Sequence, residues 1–143
     1  MYTLAIVKPD AVAAGNAGAI IRHLEKSGFR IRAARLMRLS QAEAEAFYQV
    51  HRQRPFYSSL VRFMTSGPCL PMVLEHVDAV GHLRAVIGAT DPAEAAPGTV
   101  RREFAESKER NAIHGSDSPE NAQREVAFFF SEGELRRLWG GAV

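Results

Sequence analysis

Apolar runs along the chain predict four strands. Residues 3–8 form a short apolar run that a proline stops, which indicates a buried strand. Residues 29–34 alternate between apolar and polar positions, as in a strand with one wet face, and the alternation slips before Leu36, where a bulge would fit. Residues 69–76 are mostly apolar, which is typical of a central strand, and residues 111–114 fit a short fourth strand.

The segments between these strands carry helical spacing or helix-capping signals. Ser40 and Glu43 form a capping-box pattern, and Ser118 precedes a proline that suits the first position of a helix. Residues 90–99 are rich in Pro, Gly and Ala and predict a long loop of the kind that is commonly functional. We expect helices over residues 17–27, from Ser40 to about residue 50, over residues 57–64, from Asp78 to Gly88, and after Ser118.

This order of elements predicts an α+β fold. Its simplest form is a ferredoxin-like βαββαβ sandwich with a four-stranded antiparallel sheet and helical insertions. The chain has 143 residues, of which 46% are hydrophobic, enough to build one core without disulfides or metals. It contains no repeat, linker or low-complexity segment, so we expect residues 1–143 to form a single domain.

Composition narrows the partners and the compartment. The net charge is only +2, which gives no reason to expect nucleic acid as a partner. Cys69 is the single cysteine and cannot form an internal disulfide, so nothing indicates an oxidising compartment. The chain begins without a basic segment, and its first apolar run is too short for a signal peptide or a membrane span. We therefore expect a cytoplasmic protein without a membrane partner.

The chain lacks a phosphate-binding glycine loop, so a nucleotide enzyme built on it would hold phosphates with side chains such as Lys8, Tyr48, Arg84 and Arg101. The most unusual segment is residues 111–118 (NAIHGSDS), in which a histidine precedes a glycine and a cluster of hydroxyl and acid groups. The glycine permits a sharp turn and close approach of a ligand to the imidazole. On spacing alone, a structural histidine is an equally good interpretation.

Several motifs together resemble the nucleoside diphosphate kinase family. Residues 3–12 (TLAIVKPDAV) look like the opening motif of that family, and residues 111–118 look like its active-site signature. Four shorter fragments lie between them in family order, namely residues 54–56 (RPF), 63–68 (FMTSGP), 87–90 (IGAT) and 97–101 (PGTVR). The resemblance extends from Thr3 to about Phe130.

The resemblance implies a reversible two-step phosphoryl transfer from ATP or another nucleoside triphosphate to nucleoside diphosphates. His114 would accept the phosphoryl group, Glu125 would accept a hydrogen bond from the other ring nitrogen, and Ser116 would support that pair. Magnesium would arrive with the nucleotide phosphates rather than in a protein cage. The residues that resemble the family's nucleotide-binding set are Lys8, Tyr48, Phe56, Arg84, Thr90, Arg101 and Asn111.

Other features bear on the partners. The family resemblance implies a homo-oligomer, a tetramer or a hexamer, although the tail from residue 133 onwards is less recognisable. Lys108 occupies a position that is often apolar in the family, so the base would be clamped differently.

A non-catalytic ferredoxin-like module that binds a nucleotide or nucleic acid stays open as the alternative. Its direct support is a series of arginines over residues 30–38, and we assign structural or surface roles to His23, His51, His76 and His82.

Overall fold

A four-stranded antiparallel sheet forms the centre of the molecule in the computed structural model, which describes residues 1–139. Residues 140–143, to which the expected domain and its tail extend, lie outside the described residues. The strands are β1 (Tyr2–Val7), β2 (Arg30–Ala34), β3 (Leu70–Glu75) and β4 (Ile113–Gly115). Their order in the sheet is β2-β3-β1-β4, with every neighbouring pair antiparallel. This is the order of a ferredoxin-like βαββαβ sandwich, and it confirms the predicted fold class.

Helices cover the sheet and separate the strands. Alternate residues of β1 feed two hydrophobic cores, with Leu4 and Ile6 in one and Ala5 and Val7 in the other, all fully buried. Both faces of the sheet are therefore covered. The helices are α1 (Pro9–Ala13), α2 (Ala17–Lys26), α3 (Gln41–Phe47), α4 (Tyr57–Met64), α5 (Ala79–Ile87), α6 (Val100–Phe104), α7 (Pro119–Phe129) and α8 (Glu132–Leu138), with a short 3-10 helix at Gln49–His51.

The bulge in β2 lies earlier than the sequence pattern suggested. The register with β3 shifts between Ile31 and Ala33, so Arg32 is the extra residue. Its carbonyl accepts a hydrogen bond of 2.6 Å from Trp139 Nε1. This hydrogen bond joins residues that are 107 positions apart, so no local pattern in the sequence indicates it.

Three helices were not predicted. Pro9 was taken as the end of β1, but it is also the first residue of α1, where the lack of an N–H costs nothing. In α8 the capping box of Ser131 and Glu134 is present in the structure, so a sequence signal existed for it. The third unpredicted helix, α6, has only five residues, too few to show a period.

Asp78 precedes α5 as expected, although its side chain does not cap the helix.

Within residues 1–139, no helix is both long enough and apolar enough to cross a membrane.

Candidate active site

His114 lies in the middle of β4, opposite Ile6 of the central strand β1. Gly115 follows it and allows α5 to pack closely against β4. A Cβ atom at Gly115 would lie 3.0 Å from Ile87 Cδ1 and 3.1 Å from Leu83 Cδ2, so these side chains would have to shift by a few tenths of an ångström to admit it. The glycine of the motif therefore serves close packing beside the histidine.

A buried carboxylate holds one ring nitrogen of His114. His114 Nε2 donates to Glu125 Oε1 over 2.7 Å, and the hydroxyl of Ser116 donates to the same oxygen over 2.8 Å. Glu125 lies on α7 with 5% of its surface exposed. Burial alone would raise the pKa of Glu125, but the hydrogen bonds from His114 and Ser116 and the charge of a protonated His114 outweigh it and lower that pKa. Because the carboxylate is ionised, it fixes the proton on Nε2 and leaves Nδ1 with a free lone pair.

Aromatic rings enclose the imidazole on another side. Phe47 meets His114 edge to face with 5.5 Å between ring centroids, and Tyr48 does so at 6.4 Å. The hydroxyl of Tyr48 is buried and has no hydrogen-bond partner within the described residues. Burial raises the pKa of this phenol, so it stays a donor. A buried donor without a partner, on a residue that lines a pocket, is suited to an anionic ligand.

Three cationic side chains converge on the same pocket. Burial, and then the charge of Arg101, lower the pKa of Lys8 to about 8. Burial, and then the charge of Arg84, lower the pKa of Arg101 to about 10. Like charges so close together destabilise one another, and a polyanion placed among them removes that penalty. This electrostatic pattern is typical of a phosphate-binding site.

Hydrogen bonds fix two of these cations to the segment that carries the histidine. Lys8 Nζ donates to Asn111 Oδ1 over 2.9 Å. Arg101 donates to the carbonyl oxygen of Ile113 over 2.8 Å and to that of Gly88 over 3.0 Å. In turn, Asn111 Nδ2 donates to the carbonyl oxygen of Thr90 over 3.3 Å. The cations are therefore held in place without a ligand.

These residues share one pocket of about 710 Å³. All seven side chains expected to bind a nucleotide line it, together with His114, whereas Glu125 and Ser116 lie behind the imidazole. Phe56 is 45% exposed at the pocket, which leaves its ring available for stacking. The remaining lining residues are His51, Leu60, Ile87, Gly88, Ala89, Lys108, Glu109, Gly115 and Asp117.

Two of these lining residues were missed by sequence reasoning. His51 was assigned a structural or surface role, but it lines the pocket with its ring centroid 5.4 Å from that of Phe56. Burial, and then the charge of Arg54, lower the pKa of His51. Its position three residues after Tyr48 was the available signal, because one helical turn places both side chains on the same face. Asp117 also lines the pocket, and its pKa is lowered chiefly by a hydrogen bond from Asn121.

The described part of the chain contains no group of three His, Cys, Asp or Glu residues that could hold a metal ion. Asp117 and Glu109 place two carboxylates at the pocket wall. This set of oxygen donors suits a magnesium ion that is bound mainly by phosphates, with at most one or two protein carboxylates nearby.

Known proteins of one family match the chain over most of its length. The family model described as "Nucleoside diphosphate kinase" matches residues 1–135. The nucleoside diphosphate kinase of Chlorobium chlorochromatii (strain CaD3) is 57% identical over 135 residues, which are 94% of this chain and 96% of that protein. The enzyme of the same name from Halorhodospira halophila (strain DSM 244 / SL1) is 55% identical, over 93% of this chain and 94% of that protein.

Solved structures give the same result. The Aquifex aeolicus nucleoside diphosphate kinase, in an orthorhombic crystal form, superposes with a TM-score of 0.91 at 48% identity, covering 93% of this chain and 96% of that one. A halophilic nucleoside diphosphate kinase from Halobacterium salinarum, solved in complex with CDP, superposes with a TM-score of 0.89 at 40% identity, covering 94% and 90% of the two chains. By its sequence and its fold, the chain belongs to the nucleoside diphosphate kinase family.

Proposed function

We propose that this chain is a nucleoside diphosphate kinase that moves the terminal phosphoryl group of ATP, or of another nucleoside triphosphate, to nucleoside diphosphates through a phosphohistidine on His114. One observation carries the proposal. His114 has Nε2 engaged by a buried carboxylate, which leaves Nδ1 as the nucleophile beside a pocket that Lys8, Arg84 and Arg101 line. Burial and the repulsion among these cations lower the pKa values of Lys8 and Arg101.

The reaction consists of two half-steps on the same nitrogen. The lone pair of Nδ1 attacks the γ-phosphorus, the bond from phosphorus to the bridging oxygen breaks, and its electron pair leaves with ADP. The proton on Nε2 stays in its hydrogen bond to Glu125, which stabilises the positive charge that the ring acquires. In the second half-step a terminal oxygen of a bound diphosphate attacks the phosphorus, the bond from phosphorus to Nδ1 breaks, and its electron pair returns to Nδ1 to regenerate the neutral imidazole.

Binding groups of the pocket divide between phosphate and base. Lys8, Arg84 and Arg101 would bind the phosphate oxygens, where charge accumulates in the transition state. Magnesium would shield the phosphate charges when the nucleotide carries it in, and Asp117 is the carboxylate placed to help hold it. Phe56 would stack on the base, and stacking on a ring accepts any base.

The family resemblance further leads us to propose a homo-oligomer, a tetramer or a hexamer.

Labelling with ATP alone tests the proposed function. The protein, incubated with magnesium and ATP labelled at the γ-phosphate, should become labelled before any diphosphate is added, because the first half-step needs no acceptor. The label should be labile in acid and stable in alkali, as expected of a phosphoramidate. Each common nucleoside diphosphate should then discharge it. A protein that binds ATP but takes up no label would favour the non-catalytic module instead, and an acid-stable label would indicate a serine ester.

A second expectation concerns pH and Lys8. The pKa of about 8 means that Lys8 loses its charge as the pH rises through that value in the free enzyme, and phosphate binding weakens with it. Because kcat/KM reports ionisations of the free enzyme, its value for MgATP should fall by roughly tenfold for each pH unit above about pH 8.

Lys8→Arg provides the matched control for this pH profile. The ordinary pKa of arginine is roughly two or more units above that of lysine, so the variant should stay charged past pH 8 and should show a lower kcat/KM without a fall near that pH. A wild-type profile that stays flat to about pH 9.5 would contradict the lowered pKa of Lys8, and an unchanged kcat/KM at pH 7 in Lys8→Ala would contradict the lysine's role in phosphate binding.

A further inference from the structure

The carboxylate of Asp10 is buried close to the segment that leads into β4. Asp10 is the second residue of α1, and only 6% of its surface is exposed. Its Oδ2 accepts a hydrogen bond of 3.1 Å from the backbone N–H of Ala112, 102 positions later in the chain. Its Oδ1 is buried and has no hydrogen-bond partner within residues 1–139. An aspartate that only assisted the start of a helix could do so from the surface, so this burial calls for another role.

Ala112 has a backbone conformation that alanine rarely adopts. Its φ is +74°, and it is the single non-glycine residue with positive φ in the described part of the chain. The N–H of Ile113 donates to the carbonyl oxygen of Asn111 over 2.9 Å, which closes a tight three-residue turn centred on Ala112. Strain of this kind persists only where the surroundings hold it, and it is concentrated at functional sites.

Two residues near the start of the chain hold this turn from both sides. The N–H of Ala112 donates to Asp10, and its carbonyl oxygen accepts a hydrogen bond of 2.8 Å from the N–H of Lys8. Lys8 Nζ also bonds to Asn111, immediately before the turn. His114 follows two residues after Ala112. The direction of the turn therefore determines how the imidazole stands relative to the lysine of the phosphate site.

We propose that Asp10 is a positioning residue, which locks Ala112 in its strained turn and thereby aligns His114 with Lys8 and Asn111. This inference rests on the proposed function. Asp10 lies behind the backbone rather than in the pocket wall, so it acts through Ala112 and not on the substrate. The part it plays is geometric, and it depends on an oxygen acceptor at this place more than on a negative charge.

Replacing the carboxylate in two ways separates geometry from charge. Asp10→Ala removes the acceptor and should slow phosphoenzyme formation by roughly 10- to 100-fold, with a smaller change in KM for ATP. Asp10→Asn keeps an acceptor oxygen of the same shape and removes the charge, so it should stay within about threefold of the wild-type rate. Both substitutions remove the charge of Asp10, which raises the pKa of Lys8, so the two variants are compared with each other at pH 7 and differ in the acceptor oxygen. The thermal midpoint of each variant shows that it is folded. If Asp10→Asn is as slow as Asp10→Ala, the geometric role is excluded.

Ala112→Gly provides a test whose result a general loss of structure would not reproduce. Glycine adopts positive φ without strain, so the turn no longer needs the carboxylate to hold it. The factor by which Asp10→Ala slows labelling is therefore compared in two backgrounds. In the Ala112→Gly background, the logarithm of this factor should be less than half of its value in wild type. An equal factor in both backgrounds would overturn the inference. Failure of the wild-type protein to take up label would instead count against the proposed function itself.

Discussion

His114→Ala should form no phosphoenzyme from ATP and should lose turnover by about 10⁴-fold or more, because the variant lacks the only atom that accepts the phosphoryl group in this mechanism. Ser116 cannot replace it, since its hydroxyl already donates to Glu125 and is fully buried. Nucleotide binding should be largely retained, because the cations and the Phe56 ring remain. The measurements are γ-phosphate labelling, steady-state turnover and the binding of a nucleoside diphosphate.

His51→Ala is the matched control for that experiment, since His51 is the other histidine that lines the pocket. It lies beside Phe56 rather than next to Glu125 and Ser116. We expect this variant to take up an acid-labile label, even if its nucleotide affinity falls. Acid-labile labelling that survives in His114→Ala and disappears in His51→Ala would falsify the assignment of the nucleophile.

Glu125→Gln should still become phosphorylated, but about ten- to a thousandfold more slowly, equivalent to roughly 1.4–4 kcal/mol in the barrier. The substitution preserves the size of the side chain and removes its charge. The amide oxygen can still accept from Nε2 but holds that proton less firmly than a carboxylate does, and the positive charge that forms during attack is less stabilised. Single-turnover labelling by ATP measures the step directly, separate from binding and product release.

Ser116→Ala is the companion to that variant. It removes the second hydrogen bond to the same carboxylate oxygen and leaves the pair of His114 and Glu125 intact, so its effect should be smaller than that of Glu125→Gln. A wild-type labelling rate in Glu125→Gln would show that the carboxylate does not orient the ring. Complete loss of labelling in a folded Glu125→Gln would show that its role extends beyond orientation.

The fold could be predicted from local patterns because each strand carries its own signal. The apolar run that ends at Val7 and the alternation that begins near residue 29 are visible within a few residues, and the structure confirms the antiparallel sheet they suggested. The fourth strand lies one to two residues later than expected, at Ile113–Gly115, because Ala112 turns the chain before it. Positive φ at an alanine has no signature in the sequence.

The candidate site was predictable only as a set of motifs. The resemblance to the family brought together His114, Glu125 and the cations expected to bind phosphate. The structure places His114 and these cations at one pocket, with Glu125 behind the imidazole, while their roles remain predictions. Neither motif nor spacing indicated that Asp10 would meet Ala112, because a contact across 102 positions follows from the pairing of β1 with β4 and not from local sequence. His51 was missed because a lone histidine in a helical turn is more often structural than functional.

The place of β1 in the sheet has a consequence for biosynthesis. β1 leaves the ribosome first, yet both of its neighbours are made much later, β3 after residue 69 and β4 after residue 112. Until then both edges of β1 lack their native partners, a condition that exposes a nascent chain to aggregation. Pairing β1 with β3 and β4 closes long loops of the chain, and contacts between residues far apart in the sequence form slowly. Residues up to Asp117 must therefore be synthesised before the pocket can exist, and a chain cut short before Glu125 would lack the carboxylate that holds the histidine.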